Sequence, residues 1–294
     1  MDFDAFIAQA WADHADDAAG VAQRLETIDP GTLAEPAQAQ RLATLISHVL
    51  GEHLARWQDG IACLRQLATC PACAEGSELA RSLDRLVAGL TLAEGRSDPR
   101  TALEASDRVR VAALAAAHLA ERDSTRTQAL LRQALAEAAA LPDSDPCVRS
   151  LAVTGNTVAC VMEDKPGRSA DERELMILAA QTARRCWALA GTWLETERAE
   201  YRLAMTWLQA GDTAQARQHA QRCLELVQDH DGDAFERFFA WEALGRVERA
   251  AGDAAGHRQA LAKAREAFAA LDEGDRSGCQ PSLDALEGAA RVGH

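Results

Sequence analysis

The residues whose spacing carries the most chemistry are Cys70-Pro71-Ala72-Cys73. Two thiols in a C-x-x-C arrangement can cycle between dithiol and disulfide. A helix starting just after them would stabilise the first thiolate through its amide dipoles. Helical periodicity resumes near Ala74, which places such a helix start within reach. The same pair could offer two thiolates to a tetrahedral metal, with Cys63 as third ligand and His53 as fourth, but no second C-x-x-C completes the site. The strand–helix setting of a thioredoxin-like motif is also missing. A proline-containing turn between two helices accounts for the four residues without further assumptions, and is the reading adopted, leaving Cys70 and Cys73 as weak metal candidates.

Asp229-His230-Asp231-Gly232-Asp233 has the look of a cation loop. An EF-hand loop needs its glycine sixth and a glutamate twelfth; here Gly232 falls fourth, so the segment reads as an inter-helix turn with Asp233 as an N-cap. The eight histidines are scattered and none pairs at i, i+4. His118 and His257 fall on packing faces, where a hydrogen-bonded core histidine is expected. Nucleophile-elbow, phosphate-loop, dinucleotide and H-E-x-x-H signatures are all missing from the sequence. No catalytic residue, metal or cofactor is therefore expected, with a thiol-redox enzyme using Cys70 and Cys73 as the catalytic alternative.

The elements that position these residues are helices. The chain has 294 residues, 48% of them hydrophobic but only 4% aromatic, and Ala and Leu dominate. Val and Ile are sparse, while Ala, Leu, Glu, Gln and Arg favour helix. The net charge of −14 repels phosphate backbones, so nucleic acid is not an expected partner. The N-terminus carries no basic-then-apolar leader pattern, and no apolar run approaches the ~20 residues that span a bilayer. Eight cysteines in that setting imply reduced thiols and a cytoplasmic location. The use of Arg in place of Lys, with Lys165 and Lys263 the only lysines, reads as the codon bias of a GC-rich bacterial genome.

Periodicity and cap signals predict helices near 3–14, 16–28, 36–53, 55–69, 75–94, 99–121, 124–140, 147–163, 170–190, 193–210, 212–230, 233–251, 253–272 and 280–291. Ser169 with Glu172 and Thr192 with Glu195 form capping-box patterns. Asp98-Pro99 and Asp145-Pro146 place an N-cap before a first-turn proline. Short linkers make neighbouring helices antiparallel.

Two segments repeat. Gly211-Asp212 and Gly252-Asp253 lie 41 residues apart, preceded by Leu203, Ala204 and Trp207 in one case and by Trp241, Leu244 and Gly245 in the other. Small residues follow each glycine, at Ala216 and Ala220 and again at Ala264. Looser matches surround Gly155 and Ala115, and His48, Trp57 and Gly60. This pattern resembles the tetratricopeptide repeat, in which small residues let two helices of a hairpin approach closely. The resemblance implies an all-α, right-handed superhelix of helical hairpins. It covers residues 1–294 as a single domain: degenerate repeats over 1–70, an irregular stretch over 75–107, better-defined repeats over 108–272 and a capping helix over 280–291. It further implies a non-enzymatic scaffold, whose groove is lined by Asn156, Arg198, Tyr201, Arg202, Glu242, Arg246 and Arg249 and accepts a protein or peptide ligand, with acidic or C-terminal segments favoured. The competing reading has nearby Glu195, Glu197, Glu200 and Glu248 neutralising the arginines through i, i+3 and i, i+4 pairs. A peptide- or metabolite-sensing regulator acting through a partner is the other functional alternative.

Overall fold

The computed structural model describes residues 2–288. These form fourteen α-helices and no strand, which establishes the all-α class that the composition implies. The chain folds as two compact units, and the division falls inside one helix, between Thr154 and Gly155, instead of at a linker. The first unit holds α1 (Phe3–Asp13), α2 (Ala18–Glu26), α3 (Pro36–Ile46), α4 (Trp57–Leu67), α5 (Glu78–Glu94), α6 (Ala105–Leu119), α7 (Ser124–Ala138) and the first half of α8 (Pro146–Asp164). The second holds the rest of α8, then α9 (Ala170–Ala190), α10 (Trp193–Ala210), α11 (Thr213–Asp229), α12 (Ala234–Ala250), α13 (Ala254–Ala269) and α14 (Glu273–Glu287).

Caps place these helices where the sequence marks them. Both capping boxes form: Ser169 and Thr192 each accept from the start of their helix, and Glu172 and Glu195 reach back to the cap amides. Asp212, Asp233 and Asp253 accept from the first turns of α11, α12 and α13. Gly211 and Gly252 adopt the left-handed backbone, φ 85° and 76°, that lets the chain turn from one antiparallel helix into the next.

Three of the expected helices differ most from the sequence reading. The stretch 36–53 is not one α-helix; its last seven residues, Ser47–His53, wind as a π-helix, with Leu54 N–H donating to Val49 C=O at 3.1 Å. The stretch 99–121 is split, because Leu103 and Glu104 are extended between a 3-10 turn at Pro99–Ala102 and α6. Asp98 therefore caps the short turn and not α6. The last helix starts at Glu273, seven residues before the expected 280, and runs through Pro281; the expected end at 291 lies outside the described residues.

Each unit has its own core. In the first, Leu, Ile and Val side chains from α1 through α5 and the π segment pack together, among them Leu42, Leu45, Leu50, Leu64, Leu83 and Leu90. In the second, Ala204, Ala216, Ala220 and Ala243 let α10, α11 and α12 close on one another, and Phe238 is fully buried with Ala264, Leu283 and Leu286. A phenyl ring so enclosed contributes about 1.5–3 kcal/mol by leaving water. Close approach explains Gly155: a Cβ there would sit 2.6 Å from the Ala179 carbonyl oxygen of α9. No helix among the described residues is long and apolar enough to cross a membrane.

Candidate functional site

Two polar constellations stand out, one in each unit. In the second unit, glutamates of α10 and α12 point inward. Glu197, Glu200, Glu236, Glu242 and Glu248 are all buried. A carboxylate out of water must be paired, and most of these are held by a cation from another helix. Arg184 of α9 and His219 of α11 contact Glu200 at 2.7 and 2.6 Å. Those two partners outweigh the burial that would raise its pKa, and keep Glu200 below the ordinary carboxylate value. Arg217 donates twice to Glu248, at 2.8 and 2.5 Å.

The predicted groove residues belong to this lattice. Arg202 donates to Glu163 at 2.6 Å, and Thr206 donates to the other oxygen of the same carboxylate. Arg198 donates to Glu236 at 2.5 Å. The Tyr201 hydroxyl donates to Glu242 at 3.1 Å, and Arg246 donates to the same carboxylate at 3.2 Å. Arg249 donates to the Ala285 and Leu286 carbonyls at the C-terminal end of α14, where a cation is favoured. Asn156 is half-buried on α8, one residue after Gly155.

Three of the four arginines are thus paired with glutamates, but these are Glu236, Glu163 and Glu242, mostly on other helices, while Arg249 meets carbonyls. Arg246–Glu242 is an i, i+4 pair, whereas Arg202–Glu163 and Arg198–Glu236 join residues 39 and 38 apart. The signal that could have revealed this was glutamate at a core position such as Glu242, between Trp241 and Ala243. Glu197 is the exception to cationic pairing: it accepts from the Cys223 thiol at 2.7 Å. Burial pushes its carboxyl up to about 8, with the thiol opposing and the neighbouring Glu236 charge adding to the rise.

In the first unit, three imidazoles meet. His14 ends α1; His48 and His53 lie in the π segment. The His48 and His53 Nε2 atoms are 3.1 Å apart, and one ring nitrogen of each of the three lies within 4.8 Å of the other two. The indole of Trp11 stands against His14 and His48, with centroids 5.1 and 5.2 Å away. The outer nitrogens are anchored: His48 Nδ1 lies 3.0 Å from Glu52 and His14 Nδ1 donates to the Trp11 carbonyl at 2.6 Å. Burial opposes ionisation of Glu52, but the His48 contact and the other nearby imidazoles prevail, so its carboxyl is held below its usual range.

Behind the cluster, buried His118 rests on the π segment. Its Nε2 is 3.4 Å from Ser47 Oγ, its Nδ1 has no hydrogen-bond partner, and burial lowers it to about 4. The sequence expectation of a satisfied core histidine is thus only half met, whereas His257 meets it by bonding the Gly245 carbonyl at 2.9 Å. Gly51 makes the His118 contact feasible, since a Cβ there would fall 2.6 Å from Nδ1. Arg122 clasps the end of the segment, donating to the Glu52 and His53 carbonyls at 2.6 Å each.

The cysteine pair is placed differently from its reactive reading. Cys73 N–H donates to Cys70 C=O in a tight turn, and α5 begins only at Glu78 with Ser77 as its cap. The expected helix start near Ala74 is therefore displaced, and Cys70 lacks the amide dipoles that would stabilise a thiolate. Burial pushes the Cys73 thiol up. Among the described residues, His53 groups with His14 and His48 and not with Cys63, Cys70 and Cys73. In the Asp229–Asp233 turn, His230 stacks on Trp193 at 4.9 Å and Asp233 caps α12. No protein-family model matches the chain, and no curated protein or solved structure matches it.

Proposed function

We propose that the chain is a non-enzymatic, tetratricopeptide-like binding scaffold whose second unit receives a protein or peptide segment. The observation that carries this reading is the packing of α10 beside α12, bridged by the Tyr201–Glu242 hydrogen bond. It sets the alternate helices α10 and α12 side by side, as a continuous binding face requires. Arg198 and Arg246 are cations there with 58% and 36% of their side chains exposed, each meeting one glutamate oxygen, and Arg249 is exposed beside them. Their free N–H groups suit an acidic or C-terminal segment, while Asn156, Tyr201, Arg202, Glu242 and Arg249 shape and brace the surface.

Anisotropy of fluorescent peptides with acidic C-termini tests this. Binding is expected to weaken with salt and to fall in Arg198→Gln/Arg246→Gln, compared at equal helical content. Charge reversal is unsuitable at Arg198, Arg202 and Arg246 alike, because Glu236, Glu163 and Glu242 would then face a like charge. Failure of a diverse acidic-peptide array to yield any salt-sensitive binder overturns the reading.

A second reading, sensing of a small polar metabolite, draws support from a recess of about 540 Å³ between α9, α10 and α11. Gln181, Arg184, Glu200, Gln218, His219 and Arg222 line it. Its volume suits a small ligand, and its polar wall suits one rich in hydrogen-bonding groups. Thermal shift with polar metabolites, lost in Gln218→Leu, separates the two.

A further inference from the structure

We infer that His14, His48 and His53 form a binding site for one borderline divalent transition-metal ion of the zinc class, with Glu52 as the carboxylate that orients His48. A tetrahedral ion with imidazole ligands at ~2.0–2.1 Å holds their nitrogens roughly 3.3 Å apart. The His48–His53 separation of 3.1 Å is already close to that value, and a His14 ring nitrogen lies within 4.8 Å of both.

Hydrogen bonding selects the ligating atoms. With Glu52 on His48 Nδ1 and the Trp11 carbonyl on His14 Nδ1, both rings carry their proton on the outside and leave Nε2 bare. This is the arrangement that metal-bound histidines share, an outer N–H held by a carboxylate or carbonyl. His53 needs only to carry its proton on Nδ1 for three lone pairs to converge. Without an ion, one of two Nε2 atoms 3.1 Å apart must be the donor to the other; with an ion, neither is.

The ligand set favours particular metals. Three imidazoles and no thiolate suit Zn²⁺, Cu²⁺, Ni²⁺ or Fe²⁺ over Ca²⁺ or Mg²⁺, which take oxygen ligands. Glu52 supplies a negative charge behind the site. Three protein ligands leave a fourth position for water or an incoming donor, as in zinc sites that are not purely structural. The π segment makes the geometry, because its i→i+5 bonding sets His53 over His48. Arg122 and His118 fix that segment without competing for the ion: the first is engaged with carbonyls, and the second is not among the grouped imidazoles.

Zn²⁺ titration of the full chain in competition with a chromophoric chelator provides the test, with Co²⁺ absorption as a ligand signature. One Zn²⁺ per chain is expected. Affinity should fall by about 100-fold or more in His48→Gln/His53→Gln and by about 10–100-fold in Glu52→Gln. His14→Gln, at the C-terminal end of α1, should weaken binding without affecting the fold. Cys63→Ser/Cys70→Ser/Cys73→Ser should bind as the parent does, and the Co²⁺ form should show visible bands without a thiolate charge-transfer band. Absence of stoichiometric binding at micromolar Zn²⁺ overturns the inference. So does binding that survives loss of the histidines and disappears with the cysteines.

Discussion

His48 and His53 stand five residues apart in sequence, yet their Nε2 atoms are 3.1 Å apart. On an α-helix that spacing would set them ~140° apart around the axis. The π-helical winding of Ser47–His53 turns them onto one face, and Gly51 keeps the segment seated against His118.

Gly51→Ala should therefore be costly. Its Cβ would fall 2.6 Å from His118 Nδ1 and 2.8 Å from a Leu90 methyl, and overpacking of this kind costs roughly 1–3 kcal/mol. His118→Ala opens space on one side of that Cβ. In urea denaturation the double variant should be less destabilised than the sum of the two singles; strict additivity would show that the ring is not what Gly51 accommodates.

This geometry also shows where sequence reading stops. Helix periods, capping boxes and the paired Gly-Asp turns are local signals, so α9 through α13 could be read with boundaries a few residues wide. The His14–His48–His53 cluster depends on a π turn and on a helix that ends more than thirty residues earlier. A search for i, i+4 pairs misses it on both counts. The buried glutamates were hidden for a related reason: Glu163 and Glu236 meet Arg202 and Arg198 across helices, at separations that no intra-helical rule anticipates.

The Arg202–Glu163 pair is expected to be strongly coupled. The carboxylate is largely out of water and also accepts from Thr206. Arg202→Met leaves that charge buried without its cation, a loss of about 3–5 kcal/mol. Glu163→Gln added to it should restore much of the loss. A double-mutant cycle by urea denaturation measures the coupling, and a value near zero would mean that solvent screens the pair.

Three glycines should respond differently to alanine. Gly155→Ala drives a Cβ into the Ala179 carbonyl oxygen, a backbone atom that cannot yield, and should cost about 1–3 kcal/mol. Gly211→Ala meets nothing within 4 Å but forces a side chain into φ 85°, for about 1–2 kcal/mol. Gly278→Ala, inside α14 with open space around it, should stabilise by roughly 0.5–1 kcal/mol. Melting temperatures in that order check the assignment; destabilisation at Gly278 would mean that α14 packs more closely than its surroundings indicate.

Glu197 makes the second unit sensitive to pH in an unusual direction for a carboxyl group. Burial, with the neighbouring Glu236 charge adding to it, pushes its carboxyl up to about 8, against roughly 4.3 in an unfolded chain. Between those values the folded protein holds a proton that the unfolded chain has released. Stability from this group is therefore fully present below about pH 4 and declines as pH rises through 8, by a few kcal/mol in all. Glutamine reproduces the neutral form, so Glu197→Gln should remove that slope. Urea midpoints of the parent and the variant should nearly coincide at acidic pH and diverge in the variant's favour at pH 8.5. If the variant is less stable than the parent at both, the carboxylate is ionised in the native protein, and the Cys223 thiol, not a bound proton, is what holds it.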